Sequence, residues 1–246
     1  MSEAPQEESF VSHLVELRTR LLRAIVAVAV VFACLLPWAS DIYDLLAHPL
    51  IAALPENTHM IATGVVTPFF VPIKVTALVA FVLALPFVLY QAWAFVAPGL
   101  YAHERRLALP LVAGSVLLFL AGMAFCYFFV FRMAFGFIAG FAPQSVQLAP
   151  DIEQYLSFVM TMFIAFGVTF EVPVVVILLV RAGLVSVAKL REVRPYVIVG
   201  AFVVAAIVTP PDVVSQILLA VPLCLLYEAG ILMGSAISRP GAETDR

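Results

Sequence analysis

The chain has 246 residues, of which 64% are apolar and only 12% are charged. Soluble domains carry roughly a quarter charged residues, so this composition excludes an ordinary soluble enzyme and predicts one integral membrane domain over residues 1–246. The net charge is −3, and no basic patch follows an aromatic pattern, which argues against nucleic acid as a partner.

Residues 9–21 predict an amphipathic helix at the membrane interface, because leucines recur on one side at helical spacing. Glu16 lies on another side of this helix, and Arg20 follows it by four residues. Such a carboxylate either forms an ion pair with the arginine one turn later or serves a binding site. The spacing alone leaves both interpretations open.

Six apolar stretches follow along the chain, at residues 22–39, 73–93, 107–131, 154–180, 196–209 and 213–234. A helix needs about 20 residues to cross a bilayer. The fifth stretch is shorter and would rise only ~21 Å. The pattern therefore predicts six membrane spans with a short fifth span, and a re-entrant hairpin over 196–234 is the alternative. Residues 41–72 are apolar but interrupted by prolines, which indicates a structured external cap.

The basic residues are distributed unevenly between the two sides of this predicted bundle. Lys74 and Arg132 fall on one side, and the other Lys and Arg residues lie at the termini and in the second and fourth connections. The side of a membrane protein that is rich in Lys and Arg faces the cytoplasm. We therefore expect both termini to be cytoplasmic.

Glu171 lies within the fourth predicted span, two residues before Pro173. An acidic side chain at this depth costs ~2.5–3.5 kcal/mol and is a functional candidate by default. The proline breaks the helical hydrogen-bond ladder near Thr169, so a bend is expected there. The alternative is a protonated carboxyl group that is hydrogen-bonded inside the bundle.

Two further polar groups lie at the turn between the last two spans. Thr209 and Gln216 either bond to each other or hold a neighbouring helix. Glu104, in "AHERRL", precedes two arginines at a predicted membrane edge and is either a helix-end charge or a binding carboxylate. No catalytic motif, metal-ligand set or cofactor motif is recognisable, so we expect neither an enzyme nor a metal or cofactor site.

Several segments resemble the TatC family, the receptor subunits of the twin-arginine protein translocase. They are "HLVELRTRLLRAI", "YQAWAFVAPGLYAHERRLALP", "AFGVTFEVPVVVILL" and "RPYVIVGAFVVAAIVTPPDVVSQILLAVPL", and the resemblance is collinear over roughly residues 9–235.

This resemblance implies an all-α, glove-shaped bundle of six transmembrane helices with both termini cytoplasmic and short fifth and sixth helices. It implies a place in the bacterial cytoplasmic (inner) membrane. The implied function is Sec-independent translocation of folded proteins, driven by the protonmotive force. The implied partners are twin-arginine signal peptides, bound on the cytoplasmic face, and the TatB and TatA subunits of a multimeric complex in the lipid bilayer.

Motif by motif, the resemblance assigns signal-peptide binding to Glu16 and Glu104, supported by Arg18 and Phe95. Two carboxylates on a basic face would make a small acidic target. A pair of guanidinium groups fits it because each can bond a carboxylate through two parallel N–H groups.

The resemblance also assigns an intramembrane acid for coupling or assembly to Glu171, and contacts with partner helices to Thr209 and Gln216. A proton-coupled small-solute transporter that uses Glu171 is the alternative function. The sequence shows one buried acid and no internal repeat, which favours the translocase receptor.

Overall fold

The computed structural model describes residues 4–51, 60–96, 105–141, 151–209 and 212–237. Within these ranges the regular structure is helical, apart from a β-bridge between Ile61 and Asp151. The all-helical prediction is confirmed.

The α-helices of these ranges are, in chain order, α1 Ala4–Leu35, α2 Ala39–Ile51, α3 Thr67–Val96, α4 Arg105–Phe125, α5 Phe131–Phe141, α6 Ile152–Phe170, α7 Val172–Arg181, α8 Val187–Glu192, α9 Arg194–Val208 and α10 Val213–Ile237. A 3₁₀ turn, Leu36–Trp38, joins α1 to α2, and a π-helical turn, Cys126–Val130, joins α4 to α5.

Five helical segments of the described ranges are long and apolar enough to cross a membrane. They are Ser12–Leu45, Thr67–Phe95, Leu109–Phe137, Ile152–Arg181 and Val213–Ala236. The helix α9 has 15 residues and falls short of that length. The structure thus places one long apolar helix at each predicted span except the fifth, where the sequence also indicated a short one.

The predicted interfacial helix and the predicted first span form one continuous helix, α1. Neither glycine nor proline interrupts residues 6–36, and Pro37 lies in the 3₁₀ turn that follows the helix. Only 6% of the apolar window of this segment is buried inside the chain, against 50% for the segment Ile152–Arg181. Most of the apolar surface of α1 is therefore left for lipid or for a partner.

By its internal contacts the chain divides into two compact units. The N-terminal unit consists of Met1–Asp44 and Pro72–Val116, and the C-terminal unit consists of Leu45–Val71 and Leu117–Arg246. In the N-terminal unit the indole N–H of Trp93 donates a hydrogen bond to Ser115 Oγ at 2.8 Å, and both side chains are buried. This bond joins the end of α3 to α4 and satisfies two polar groups that would otherwise be costly in an apolar core.

In the C-terminal unit α7 packs against α10 at two glycines spaced four residues apart. A Cβ atom on Gly230 would lie 3.0 Å from Pro173 Cα and 2.9 Å from Val176 Cβ. The second glycine, Gly234, faces Val180 at an ordinary contact distance. The small residues of "GILMG" (230–234) therefore serve close packing within this chain.

Asp151 joins the segment before α3 to the start of α6. Its carboxylate caps α6 by accepting hydrogen bonds from the N–H groups of Glu153 and Gln154, and it also accepts from the N–H of Thr63 at 3.0 Å and from its hydroxyl at 2.5 Å. These bonds, those from Thr63 above all, lower the pKa of Asp151 to about 2. The described end of the predicted cap, residues 60–66, is thereby tied to α6, and residues 52–59 lie outside the described ranges.

Candidate binding sites

Glu16 forms the ion pair with Arg20 that the sequence left open. The guanidinium donates two hydrogen bonds, from Nε at 2.9 Å and from Nη2 at 2.6 Å, and both are accepted by Glu16 Oε1. The Glu16 side chain is 39% exposed and that of Arg20 is 23% exposed. The carboxylate is therefore held in place by one oxygen, while Oε2 takes no part in this pair.

Phe95 reaches the same part of α1 through His13. The two rings stack with their centroids 4.4 Å apart and their planes inclined by 21°. His13 precedes Glu16 by three residues, and residues at this spacing are neighbours on a helix surface. The last turn of α3 thus brings Phe95 next to the turn of α1 that carries Glu16. We call His13, Glu16 and Phe95 the N-terminal patch.

Arg18 is not part of the N-terminal patch. It lies two residues after Glu16 and therefore on another side of α1. There it lines a groove of about 560 Å³ together with Arg23 and with Phe87 of α3. The family resemblance implies a supporting role for Arg18 in signal-peptide binding, and the structure places its side chain beside apolar groups in this groove.

Glu104 lies outside the described residues, and its assignment as a second binding carboxylate stays a prediction. In the chain it directly precedes Arg105, the first residue of α4.

Glu171 separates α6 from α7 and is buried, with 7% of the residue exposed. Its N–H donates to the carbonyl of Val168, and its own carbonyl accepts from Val175 N–H, each at 3.0 Å. The interruption of the helix lies two residues before Pro173, as the missing proline N–H requires. The predicted break in the helical hydrogen-bond ladder is present, and the carboxyl group lies within the C-terminal unit at this break.

Thr209 and Gln216 do not bond to each other. The buried Thr209 hydroxyl donates to the carbonyl of Ala205, one turn back in α9, at 2.8 Å. The amide nitrogen of Gln216 donates to the carbonyl of Phe202 at 3.2 Å. Both polar groups therefore bond to the backbone of α9, and the second bond ties α10 to α9.

Two contacts that hold α8 and the start of α9 were not predicted from the sequence. Tyr227 of α10 donates its hydroxyl to the Leu190 carbonyl at 2.8 Å, and Arg194 pairs with Glu228 at 2.6 Å. Both pairs join residues more than 30 positions apart. Locally, the sequence shows only that two polar residues, Tyr227 and Glu228, lie side by side in the apolar helix α10. This pattern does not identify the residues that they contact.

Comparison with known proteins identifies the family to which this chain belongs. The model for the family "Sec-independent protein translocase protein (TatC)" matches residues 12–222. The chain is 56% identical to the TatC protein of Azotobacter chroococcum mcd 1 over 96% of this chain and 92% of that one. It is also 56% identical to TatC of Escherichia coli (strain K12), over 91% of this chain and 87% of that one.

A solved structure shows the same fold. The crystal structure of a twin-arginine translocase receptor TatC superposes with a TM-score of 0.82 at 39% identity, over 92% of this chain and all of that one. A structure of the receptor in the detergent DDM gives a TM-score of 0.80. The matches cover nearly the whole length in sequence and in structure, and the chain therefore belongs to the TatC family of Sec-independent protein translocase proteins.

Proposed function

We propose that this chain is the translocase subunit that binds twin-arginine signal peptides of folded precursor proteins, and that the N-terminal patch reads the arginine pair. The proposal rests on the exposure and the hydrogen bonding of the Glu16 carboxylate. Its carboxylate is partly exposed at 39%, and one oxygen holds both hydrogen bonds from Arg20.

The pair between Glu16 and Arg20 can give way to an incoming arginine. Ion pairs of this spacing on a helix surface contribute only ~0.3–0.5 kcal/mol. A guanidinium group from a ligand can bond a carboxylate through two parallel N–H groups and gain more than this. Arg20 then competes with the ligand for Glu16, and its guanidinium group balances the carboxylate charge when no ligand is bound.

Phe95 supplies the apolar part of the patch. Its ring is stacked on His13 and is partly exposed, so one edge of the acidic site is an aromatic surface. Guanidinium groups pack favourably against aromatic faces. Glu104 is proposed as the second carboxylate. Arg18 contributes through its charge and not through contact with Glu16, because its side chain lies on another side of α1.

The membrane arrangement that we propose has six crossings, both termini in the cytoplasm and a glove shape. Its supports are the distribution of Lys and Arg and the two separate helices α9, which ends at Val208, and α10, which begins at Val213. The short α9 would then cross a locally thinned bilayer. The compartment that we propose is the bacterial cytoplasmic (inner) membrane.

As a TatC-family subunit, the chain functions with other components of the translocase. We propose that these are TatB and TatA, and that their helices contact the surface around Thr209 and Gln216. The exposed side of α9 supports this, since Val199 is 63% and Ile207 is 79% exposed. We further propose that Glu171 takes part in coupling to the protonmotive force or in assembly. The family membership favours this receptor function over a proton-coupled small-solute transporter.

A photo-cross-linking experiment tests the receptor function. A cross-linker at Ser12, one turn before Glu16, leaves the carboxylate in place, and one at Val30 of the same helix is the matched control. We expect adducts between position 12 and a twin-arginine precursor in membranes, and their loss when the precursor's arginine pair is changed to two lysines. Adducts that form equally at both positions, or regardless of the pair, would refute the proposed site.

A further inference from the structure

The groove beside Arg18 combines two cations with an apolar floor. Arg18 and Arg23 supply the two cations, Leu22, Val26, Ala27 and Phe87 form the apolar floor, and Val15 lines the groove on the N-terminal side of Arg18. Three of these apolar side chains are largely exposed, since Leu22 is 49%, Val26 is 58% and Phe87 is 42% exposed.

The two guanidinium groups lie at the membrane boundary of α1. The residues after Arg23 are uninterruptedly apolar as far as Trp38, so Arg23 is the last charged group before the hydrocarbon. Within the described ranges, neither Arg18 nor Arg23 is paired with a carboxylate. Two unpaired cations at this depth favour an anion from outside the chain.

We infer that this groove binds one anionic phospholipid. The headgroup phosphate lies between Arg18 and Arg23, and an acyl chain lies along Leu22, Val26 and Phe87. After Arg23 the residues of α1 that line the groove are the apolar Val26 and Ala27, so the two cations precede this apolar part as a headgroup precedes its tail. Basic pockets at the ends of membrane helices have this preference for anionic headgroups.

Thr19, which also lines the groove, adds no donor to the headgroup site. Its hydroxyl donates to the carbonyl of Val15 at 2.8 Å. Recognition of the phosphate therefore rests on the two arginines, and discrimination between lipids follows headgroup charge more than headgroup hydrogen bonding. An apolar peptide segment would match the floor of the groove but leave both cations unpaired, so the phospholipid fits better.

Native mass spectrometry of the full chain in a non-ionic detergent tests this inference. The probes are phosphatidylglycerol, phosphatidylcholine with the same acyl chains, and glycerol 3-phosphate, which has the anionic group without the tails. We expect phosphatidylglycerol to bind, phosphatidylcholine to bind at least tenfold more weakly, and glycerol 3-phosphate not to be retained. Equal retention of the two lipids, or binding of glycerol 3-phosphate alone, would overturn a lipid site.

Variants separate the groove from general adsorption of lipid. Each cation near an anionic headgroup contributes ~1 kcal/mol, so Arg18→Gln with Arg23→Gln should weaken phosphatidylglycerol binding roughly tenfold to thirtyfold. Val26→Trp, which fills the apolar part, should also weaken it. The matched control removes two cations elsewhere, with Arg132→Gln and Arg191→Gln, and should bind as the unmodified chain does. An equal loss in this control would contradict the site.

A photo-cross-linker at Ala27 identifies the occupant of the groove in membranes. We expect adducts with phospholipid, in both the presence and the absence of a twin-arginine precursor. Adducts with the precursor and none with lipid would show that the groove holds the signal peptide, and the inference would be wrong.

Discussion

The imidazole ring of His13 stacks on the phenyl ring of Phe95 at a centroid distance of 4.4 Å, and this contact connects the first turns of α1 to the last turn of α3. It places an aromatic surface next to the turn of α1 that carries Glu16, three residues after His13. An acidic group and an aromatic ring thus come from two helices that are far apart in the chain. The patch exists only when α3 packs correctly against α1.

Replacing Phe95 tests the aromatic part of the patch. Aromatic contacts of this kind contribute ~0.5–1.5 kcal/mol, so Phe95→Ala should weaken signal-peptide binding roughly twofold to tenfold. Phe95→Tyr keeps the ring and should restore most of the affinity. Phe128→Ala, which removes an exposed ring in the C-terminal unit, is the control. Peptide affinity can be measured by fluorescence anisotropy, and unchanged affinity in Phe95→Ala would remove Phe95 from the site.

Glu171 is expected to matter for transport and not for peptide recognition, because it is buried in the C-terminal unit. Glu171→Gln keeps the shape of the side chain and removes its ionisable carboxyl group. It should leave peptide affinity within a few-fold and impair transport of a folded precursor in membrane vesicles. Glu192→Gln alters a carboxylate that is 69% exposed and is the control. If Glu171→Gln abolished peptide binding while complex assembly stayed normal, its proposed role would be wrong.

Gly230 should tolerate no side chain, since a Cβ atom there would press on Val176 and on the backbone of Pro173. Overpacking of this kind costs ~1–3 kcal/mol, which exceeds the ~1 kcal/mol that alanine gains over glycine within a helix. Gly230→Ala should therefore lower the unfolding temperature in detergent. Gly200→Ala, with no atom within 4 Å of the added Cβ, should leave it unchanged or raise it. Equal behaviour of the two variants would mean that α7 and α10 can move apart without cost.

The proposed orientation can be tested with cysteines in a background that lacks Cys34, Cys126 and Cys224. New cysteines at Glu192 and Ala102 should be protected from an impermeant thiol reagent added outside intact cells, and one at Asn57 should react. Opening the cells should expose both protected positions. Labelling at position 192 from outside would exclude the six-crossing arrangement.

The helices of this fold could be predicted because each depends on local sequence. Long apolar runs predict spans of sufficient length, and Pro173 predicts the break beside Glu171 for a covalent reason, the missing N–H. The continuity of α1 was not predicted, since a change from amphipathic to uniformly apolar sequence suggested two elements. Without glycine or proline at that change, the helix simply continues.

The candidate site could be predicted only in part, because its geometry depends on contacts between helices. The spacing of Glu16 and Arg20 allowed their pair, but whether it forms depends on competing partners. The stack of His13 on Phe95 and the groove that Arg23 and Phe87 both line require the packing of α3 against α1, which no local pattern encodes. The residue types thus indicated a binding site with a carboxylate group. The packing of the helices determines which side chains lie next to that carboxylate.

The central claim is that Glu16 contacts the arginine pair of a signal peptide. Hydrogen bonds between charged groups contribute roughly 1.5–3 kcal/mol, so Glu16→Gln should weaken peptide binding about tenfold to a hundredfold. Changing the peptide's arginines to lysines should weaken binding to the unmodified chain as well, because an ammonium group cannot bond a carboxylate in the two-pronged geometry. Arg20→Gln removes the competitor for Glu16 and should leave peptide affinity unchanged or raise it.

The most direct measurement is a double-mutant cycle of peptide affinity, by fluorescence anisotropy, for Glu16 or Gln at position 16 with an Arg–Arg or a Lys–Lys peptide. If the two partners touch, the double change should cost clearly less than the sum of the single changes, because each single change already removes the same contact. Losses that add up fully would show that Glu16 does not contact the arginines, and its carboxylate would then serve only its ion pair with Arg20.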